Sequence, residues 1–263
     1  MSLHVDETGT PGAPTIVFLH GIGTSGWMWG RQIAALADFH CMTVDLPGHG
    51  KSNRVPWISL ADTADQVAEL IQARAADGRA HVVGLSLGGQ VALVLLERHT
   101  GVLQSAVISG VTAAPMPSRA LLGPQMWLTS ALFKTNWFLN AQARRVPPDM
   151  QPALIENMQA MSMEAYRRIW EEVADYSVPV SLQHVHTHTL ITAGGNESAI
   201  IRQAVDVISR FMPNAQGCLA PGLGHGWNVE APDIFSAMVR AWISGTPLPD
   251  GLQAVHGDVS TMG

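Results

Sequence analysis

Almost uninterrupted apolar runs alternate with helical patterns along most of the chain, and this alternation constrains the fold more than any other feature. Apolar runs of about four to six residues, bounded by Gly, Pro or polar residues, are typical of parallel strands that helices cover on both faces. The predicted strands are residues 3–7, 15–19, 41–45, 80–83, 103–108, 187–192 and 216–219. The predicted helices are residues 27–37, 60–76, 89–99, 200–211 and 232–243. Their order predicts an α/β protein with a mostly parallel, doubly wound sheet.

One stretch, residues 111–185, interrupts the alternation with helical pieces separated by Pro and Gly and contains no convincing strand. Ordinary core packing would explain any one of its large, soft apolar side chains, but their number in one insertion predicts a helical cap over an apolar pocket. They are Met116, Met126, Trp127, Phe133, Trp137, Phe138, Met150, Met158, Met161, Met163, Tyr166 and Trp170. The predicted organisation is a core at 1–110 and 186–244, a cap at 111–185, and an irregular tail at 245–263.

Composition excludes several classes of function. A net charge of -6 and an isoelectric point near 6.0 give no basic footprint for nucleic acid. The start, MSLHVDETGTPGAP, has no basic segment followed by an apolar one, and no uncharged apolar run is long enough to span a bilayer. Two cysteines, Cys41 and Cys218, fit a reducing compartment better than a disulfide framework. We therefore expect a cytoplasmic protein without a membrane or nucleic-acid partner.

The stretch TIVFLHGIGTSGWMW, residues 15–29, has two incompatible interpretations. A strand followed by Gly21-x-Gly23-x-x-Gly26, with Asp45 closing the next strand, is the pattern of a dinucleotide-binding loop. His-Gly-x-Gly after a strand is also the loop that supplies an oxyanion-hole amide in serine hydrolases. The first interpretation implies hydride transfer and the second implies acyl transfer.

A candidate nucleophile lies in HVVGLSLGGQVAL, residues 81–93, which contains Gly84-x-Ser86-x-Gly88. The predicted strand ends just before this motif and the predicted helix follows it, a setting that holds a serine on a tight, strained turn with its hydroxyl exposed. Glycine is needed on both sides because a Cβ there would clash where strand and helix backbones pass closely. The Leu87 amide, at the helix N-terminus, would point toward a developing oxyanion.

A serine hydroxyl needs a base, and His225 in PGLGHGWNVEAPDIF, residues 221–235, is the best candidate. It lies in a Gly-rich loop after the last predicted core strand, at the sheet edge where the serine should stand. The alternative is a solvated loop histidine. His184, His186 and His188 alternate and could chelate a metal, but they lack carboxylate or cysteine neighbours, so we expect no metal site.

The order of HGIGTSG, DLPGHGKS, GLSLGG and GHGWNVEAPDIF resembles that of the α/β-hydrolase fold superfamily over roughly residues 3–244. This resemblance implies Ser86 as nucleophile, His225 as base, and oxyanion amides from Ile22 and Leu87. It also implies that the insertion is the family's cap, and that the two cysteines lie on well-separated strands.

The dinucleotide interpretation accounts for the glycines and Asp45 but leaves Ser86 and His225 unexplained. The bulky side chains that follow Gly26 also stand where such a loop needs a close approach to the pyrophosphate. Gly50-Lys51-Ser52 imitates the end of a P-loop, but the glycine required five residues earlier is Asp45. We therefore favour acyl transfer.

The acid of the predicted triad is unusual for the superfamily. Similar hydrolases carry Asp in a Gly-x-x-Asp turn, and here that turn, after the strand at 187–192, reads Gly194-Gly195-Asn196-Glu197. A longer acid can still accept the imidazole N–H, so Glu197 is the predicted acid, with a solvated glutamate as the alternative. Asn196 would stabilise imidazolium poorly, Asp206 would lie within a helix, and residues 109–111 offer no carboxylate.

These residues predict a serine hydrolase that cleaves a small to medium apolar carboxylic ester through an acyl-enzyme, without metal or organic cofactor. Trp27, Trp127, Trp137 and Trp227 are the predicted substrate-binding residues. Lactonase, thioesterase, carbon–carbon bond hydrolase and perhydrolase activities use the same parts, and a ligand receptor with little turnover is the alternative from another class. The cap arginines Arg119, Arg144 and Arg145 could anchor a carboxylate, although solvated arginines are the simpler interpretation. Nothing in the sequence indicates a protein partner or an oligomer.

Overall fold

The computed structural model describes residues 2–117, 132–144 and 146–255, and its centre is one eight-stranded sheet. The strands are β1 (Val5–Gly9), β2 (Thr15–Leu19), β3 (His40–Val44), β4 (Ala80–Leu85), β5 (Leu103–Ser109), β6 (His188–Gly194), β7 (Ala215–Ala220) and β8 (Gln253–Ala254). Their order is β1-β3-β2-β4-β5-β6-β7-β8. Strands β2 to β7 pair in parallel, and the outer strands β1 and β8 are antiparallel to their neighbours. The predicted fold class is confirmed.

Helices connect the strands and cover both faces of the sheet. The α-helices of the described ranges are α1 (Gly30–Ala35), α2 (Leu60–Arg74), α3 (Leu87–Arg98), α4 (Asn136–Ala143), α5 (Gln151–Ala160), α6 (Met163–Asp175), α7 (Ala199–Phe211), α8 (Trp227–Glu230) and α9 (Pro232–Ser244). Helix α2 is capped by Ser59, whose hydroxyl accepts a hydrogen bond from Asp62 N at 3.0 Å.

The central strands are buried on both faces, and strand β2 illustrates why their sequences are continuously apolar. All five of its residues are buried. Val17 and Leu19 pack into the core on the α2–α3 side, whereas Ile16 and Phe18 pack on the other side with Trp29 of the turn that precedes α1. Alternate side chains therefore serve two cores, and polar residues would be costly on either face.

Two predicted boundaries differ from the structure in ways that matter for the site. Strand β4 continues to Leu85, beyond the predicted end at residue 83, because its last residues still pair with Ile108 and Ser109 of β5. Helix α3 begins at Leu87, two residues earlier than predicted, so Ser86 alone makes the turn between strand and helix. In the tail that was expected to be irregular, β8 pairs with Cys218 and Leu219 of β7.

The described residues between β5 and β6 carry the helices α4, α5 and α6 and contain no strand, and we call residues 111–185 the insertion. It is tied to the core by Glu172, whose carboxylate accepts hydrogen bonds from Trp57 Nε1 at 3.0 Å and from Leu60 N at 2.8 Å. The Leu60 amide is the first amide of helix α2, and the first amides of a helix have no acceptor within that helix. Residues 118–131 and 145, which include Arg119, Met126, Trp127 and Arg145, lie outside the described residues.

Both cysteines are buried free thiols, Cys41 on β3 and Cys218 on β7, with four strands between them. None of the helices in the described ranges combines the length and the hydropathy that a bilayer-crossing helix needs.

Candidate active site

Ser86 occupies a strained turn at the carboxyl edge of the sheet. Its backbone has φ 56° and ψ −115°, and no other non-glycine residue in the described ranges has positive φ. A Cβ on Gly84 would lie 2.4 Å from Gly88 O, and one on Gly88 would lie 2.1 Å from Leu19 O. The glycines are therefore required by the close passage of strand and helix, as predicted, and the turn holds Ser86 in a conformation that side chains rarely adopt.

His225 and Glu197 meet at the same edge. His225 Nδ1 lies 2.5 Å from Glu197 Oε2, and the other carboxylate oxygen accepts a hydrogen bond from Gly194 N at 3.1 Å. The Glu197 side chain is only 2% exposed, whereas that of His225 is 48% exposed. The buried partner thus has a fixed orientation and the imidazole faces the open side, as expected of a base held by an acid. Asn196 points elsewhere and donates to Gly222 O at 2.8 Å.

Gly110, directly after β5, makes room for this pair. A Cβ at this position would lie 2.8 Å from His225 Cε1, 3.0 Å from His225 Nδ1 and 3.5 Å from Glu197 Oε1. Its φ of +69° also favours glycine. The sequence identified residues 109–111 only as a stretch without a carboxylate, and this contact role was missed because the glycine and the imidazole are distant in sequence.

Ser86 and His225 line one cavity. Since a carboxylate only accepts hydrogen bonds, His225 Nδ1 carries the proton of the bond to Glu197, and Nε2 is the nitrogen left as a base. No hydrogen bond joins the Ser86 and His225 side chains among the contacts of the described residues. Contacts of this kind often tighten only when substrate is bound.

Two backbone amides beside Ser86 have no acceptor within the described residues, those of Ile22 and Leu87. Leu87 N is the first amide of α3, where the helix dipole favours negative charge. The loop that carries Ile22 is close to the serine, because a Cβ on Gly21 would lie 3.5 Å from Ser86 Cβ. The pair of amides is thus available to an anionic oxygen near Ser86.

His20 fixes the start of this loop. Its Nδ1 lies 2.8 Å from Gly21 O, and its Nε2 accepts a hydrogen bond from Leu46 N at 2.9 Å. Both nitrogens are thus used by a neutral ring, and burial lowers the pKa of His20 to about 4. The His49 ring packs edge-on against it at 4.9 Å between centroids, and burial lowers the pKa of His49 to about 3.

Asp45 is fully engaged within the fold. One carboxylate oxygen accepts from Gly26 N and the other from Lys51 N, each at 2.8 Å. A Cβ on Gly26 would lie 2.9 Å from Thr43 Oγ1, so this glycine permits packing against β3. Asp45 and Gly26, which resembled parts of a dinucleotide site, therefore form contacts within the fold.

The cavity beside Ser86 has a volume of about 310 Å³, at the lower end of the range for small-molecule sites. None of its described lining residues is Asp, Glu, Lys or Arg, and most are apolar. They are Gly21, Ile22, Gly23, Thr24, Trp27, Met28, Leu85, Ser86, Gln142, Val146, Leu154, Met158, Tyr166, Trp170, His225, Gly226, Asn228 and Val229. The helical insertion supplies the wall opposite the sheet edge.

Only one of the four tryptophans predicted to bind substrate, Trp27, is placed in this wall. Trp227 is fully buried in the core, where its Nε1 donates to Ser109 Oγ at 2.9 Å and its ring packs against Phe235. Trp137 is 72% exposed on α4 and does not line the cavity. Trp127 lies outside the described residues. The assignments of Trp137 and Trp227 to the substrate site are therefore corrected.

Of the apolar residues that predicted a pocket under the insertion, Met158, Tyr166 and Trp170 do line the cavity. Gln142 and Leu154 were missed, because nothing in a helical sequence indicates which turn will face the sheet edge. Asn228 and Val229 were also missed, although they follow His225 closely enough that the motif itself could have indicated them.

The other candidates of the sequence lie away from the site. His188 stacks on Trp242 with 3.6 Å between ring centroids, and His184 contacts Gln183. No group of three or more potential ligand side chains among the described residues could hold a metal ion. Arg144 is exposed and does not line the cavity.

Comparison with known proteins identifies the family of the chain. The sequence profile of the Alpha/beta hydrolase family matches residues 16–238. A protein of Gibberella zeae, named AB hydrolase superfamily protein, is 26% identical over 264 residues that cover 95% of this chain and 86% of that protein. The pimeloyl-(acyl-carrier protein) methyl ester esterase of Nitrosomonas europaea is 28% identical over 268 residues, which cover 89% of this chain and 96% of that enzyme.

Among solved structures, a hydrolase from Pseudomonas aeruginosa PA01 matches with a TM-score of 0.76 and 26% sequence identity. The match covers 93% of this chain and 94% of that one. Since the profile match spans most of the sequence and the sheet has the same architecture, the chain belongs to the alpha/beta hydrolase family.

Proposed function

We propose that this hydrolase is a carboxylic ester hydrolase that uses a Ser86–His225–Glu197 triad and an acyl-enzyme intermediate. The observation that carries the proposal is that a strained serine and a histidine bonded to a buried glutamate line one cavity, beside two amides for which the described residues provide no acceptor. Each group has a role in acyl transfer, and neither metal nor organic cofactor is needed.

In the proposed reaction, Ser86 Oγ attacks the ester carbonyl carbon and transfers its proton to His225 Nε2. The tetrahedral oxyanion accepts hydrogen bonds from the Ile22 and Leu87 amides. His225 then gives the proton to the leaving alcohol as the C–O bond breaks, which leaves the acyl group on Ser86. Water, deprotonated by His225, then attacks the acyl carbonyl carbon. His225 returns the proton to Ser86 Oγ as the acyl–oxygen bond breaks, and the carboxylic acid leaves.

Glu197 acts in this scheme as the orienting acid. Its carboxylate would hold His225 in the tautomer with a proton on Nδ1 and stabilise the imidazolium that forms during each proton transfer. Burial of the side chain, its bond from Gly194 N and the space left by Gly110 support this role for a glutamate at a position where aspartate is usual.

The substrate class follows from the wall of the cavity. A volume of about 310 Å³ and the absence of charged side chains among its described lining residues favour an uncharged, apolar group of small to medium size. The helical insertion would act as a cap that selects this group. The ester-cleaving activity named for the Nitrosomonas europaea relative is in line with an ester substrate. Other relatives are named carbamate hydrolase and enol-lactonase, and the same groups could cleave those bonds, so turnover of the esters must decide.

The test is labelling with a fluorophosphonate probe followed by peptide mapping, together with turnover of p-nitrophenyl acetate, butyrate and octanoate. We expect wild type to label at Ser86 and to hydrolyse the shorter esters, and Ser86→Ala to lose both activities. Ser198→Ala is the matched control, since Ser198 is exposed and its side chain makes no capping hydrogen bond. Tight binding of an apolar ester without labelling or turnover would contradict the proposal and favour a receptor.

A further inference from the structure

Asn157, on helix α5 of the insertion, contacts the loop that carries the Ile22 amide. Its side-chain oxygen accepts hydrogen bonds from Trp27 Nε1 at 2.5 Å, Ser25 N at 3.1 Å and Ser25 Oγ at 3.0 Å. The indole nitrogen and the backbone nitrogen can only donate, so the amide oxygen faces them. One oxygen of the insertion thus holds two residues of the core.

The loop between these contacts and Ile22 is held by its own hydrogen bonds. Gly21 O accepts from Thr24 Oγ1 at 2.7 Å and from Thr24 N at 3.3 Å. At its far end Gly26 N is held by Asp45, and Ser25 is only 6% exposed. Because residues 21–26 are held at both ends and by the turn between Gly21 and Thr24, a displacement of Ser25 should also displace the Ile22 amide.

The residue after Asn157 reinforces this contact. Met158 is buried, lines the cavity, and its Cγ would lie 3.6 Å from a Cβ on Gly23. Asn157 and Met158 together place α5 against the loop from Gly21 to Trp27. Several other bonds between the insertion and the core involve no residue of the cavity wall. They include those from Trp57 and Leu60 to Glu172, from Gln90 Nε2 to Val173 O and from Arg31 to Asp149.

We infer that Asn157 is a positioning residue for the oxyanion amide: the seating of the insertion on Ser25 and Trp27 sets the place of Ile22 N. The inference rests on the proposed ester hydrolysis. It assigns the insertion a part in catalysis in addition to substrate selection, since removal of the Asn157 oxygen should lower kcat and leave KM nearly unchanged.

The experiment measures kcat and KM for p-nitrophenyl acetate, and affinity for a trifluoromethyl ketone, whose hemiketal oxygen needs the oxyanion amides. Asn157→Leu keeps the approximate size and removes the acceptor. We expect kcat to fall about tenfold to a hundredfold, as for a displaced oxyanion donor, with a parallel loss of ketone affinity. Asn157→Asp keeps the oxygen and should recover most of kcat. Trp27→Phe removes one of the donors to Asn157. The loss of kcat in the double variant with Asn157→Leu should therefore be smaller than the sum of the two single losses, expressed as free energies.

Trp57→Phe is the matched control, because it also deletes an indole N–H bonded to the insertion, but far from the cavity. We expect it to lower the unfolding temperature without lowering kcat. Equal losses of kcat in Asn157→Leu and Trp57→Phe, or a rise in KM alone, would overturn the inference while leaving the proposed function intact. A wild type that hydrolyses no ester would overturn the proposed function and this inference with it.

Discussion

The sheet edge and the helical insertion hold their functional side chains by different means. At the edge, backbone geometry and hydrogen bonds position each group: Ser86 is fixed by a strained turn, and Glu197 by Gly194 N and His225. In the insertion, the packing of helices α5 and α6 decides which of their side chains line the cavity, and Met158 and Trp170 are two that do. The edge is therefore rigid and suited to chemistry, whereas the insertion can change its side chains without disturbing the reacting groups.

This difference teaches where substitutions should affect rate and where they should affect selectivity. In the proposed reaction, groups at the edge act in the transition state, so their removal should lower kcat. In the same proposal, side chains of the insertion contact the substrate in ground and transition states alike, so their removal should change KM and chain-length preference. Asn157 is the proposed exception, because it belongs to the insertion but acts on the edge.

After Ser86→Ala, which should abolish activity, the largest expected effect at the edge is that of Glu197→Gln. The variant keeps the shape of the side chain but presents an amide to His225 Nδ1, which favours the wrong tautomer and leaves the imidazolium without its anion. We expect kcat for p-nitrophenyl acetate to fall about 10³- to 10⁴-fold, as for other triad acids. Glu230→Gln is the control, since Glu230 is an exposed acid that bonds Gly224 N on the same loop. Equal rates in the two variants would remove Glu197 from the triad.

Gly110→Ala tests whether the edge depends on backbone space as well as on side chains. The added methyl would lie 2.8 Å from His225 Cε1, at a φ of +69° that alanine adopts with strain. We expect displacement of the imidazole and a loss in kcat of about tenfold to a hundredfold, with little change in KM. Gly101→Ala, where a Cβ meets nothing within 4 Å, should keep full activity. Unchanged kcat in Gly110→Ala would show that His225 tolerates a shift.

The same distinction explains what could be predicted from the sequence. The turn at Ser86 and the position of Glu197 follow from local spacing after a strand, and both residues lie where they were predicted. Gly110 was missed because its role arises from a contact between distant segments. Trp137 and Trp227 were misassigned because composition indicates that an aromatic residue is present, but the rotation of a helix against its neighbours decides whether it reaches the cavity.

Substitutions in the insertion should have smaller, selective effects. Met158→Ala enlarges the cavity opposite Ser86, so we expect KM for the acetyl ester to rise several-fold and the preference to move toward longer acyl chains, as expected for loss of a few methylene contacts. Trp137→Ala, at an exposed site of the same insertion, should leave every kcat and KM within about twofold. A change of chain-length preference in Trp137→Ala, or none in Met158→Ala, would contradict the cavity wall described above.

A further expected effect concerns stability and not activity, and it should again separate the two regions. Burial lowers the folded-state pKa of His20 to about 4 and of His49 to about 3, below the ordinary value of 6.5. The unfolded chain therefore binds protons first, so stability is complete above pH 6.5 and is lost as the pH falls from 6.5 toward 4. Each such histidine contributes a slope of about 1.4 kcal/mol per pH unit within this window. Residues 111–185 contain only His184, which is exposed.

Denaturant unfolding at pH 7.5, 6.5, 5.5 and 4.5 measures this slope. His81, whose pKa burial also lowers to about 4, adds to it from β4, so the informative quantity is the difference between wild type and a variant. His49→Gln removes one buried titrating ring, whose Nε2 has no hydrogen-bond partner among the described residues. The slope of the unfolding free energy between pH 6.5 and 4.5 should therefore fall by about 1.4 kcal/mol per pH unit, the contribution of one proton. His184→Gln, in the insertion, should leave it unchanged. A slope that drops for His184→Gln and not for His49→Gln would contradict this prediction. The loss of stability at low pH would then arise in the insertion and not at the sheet edge.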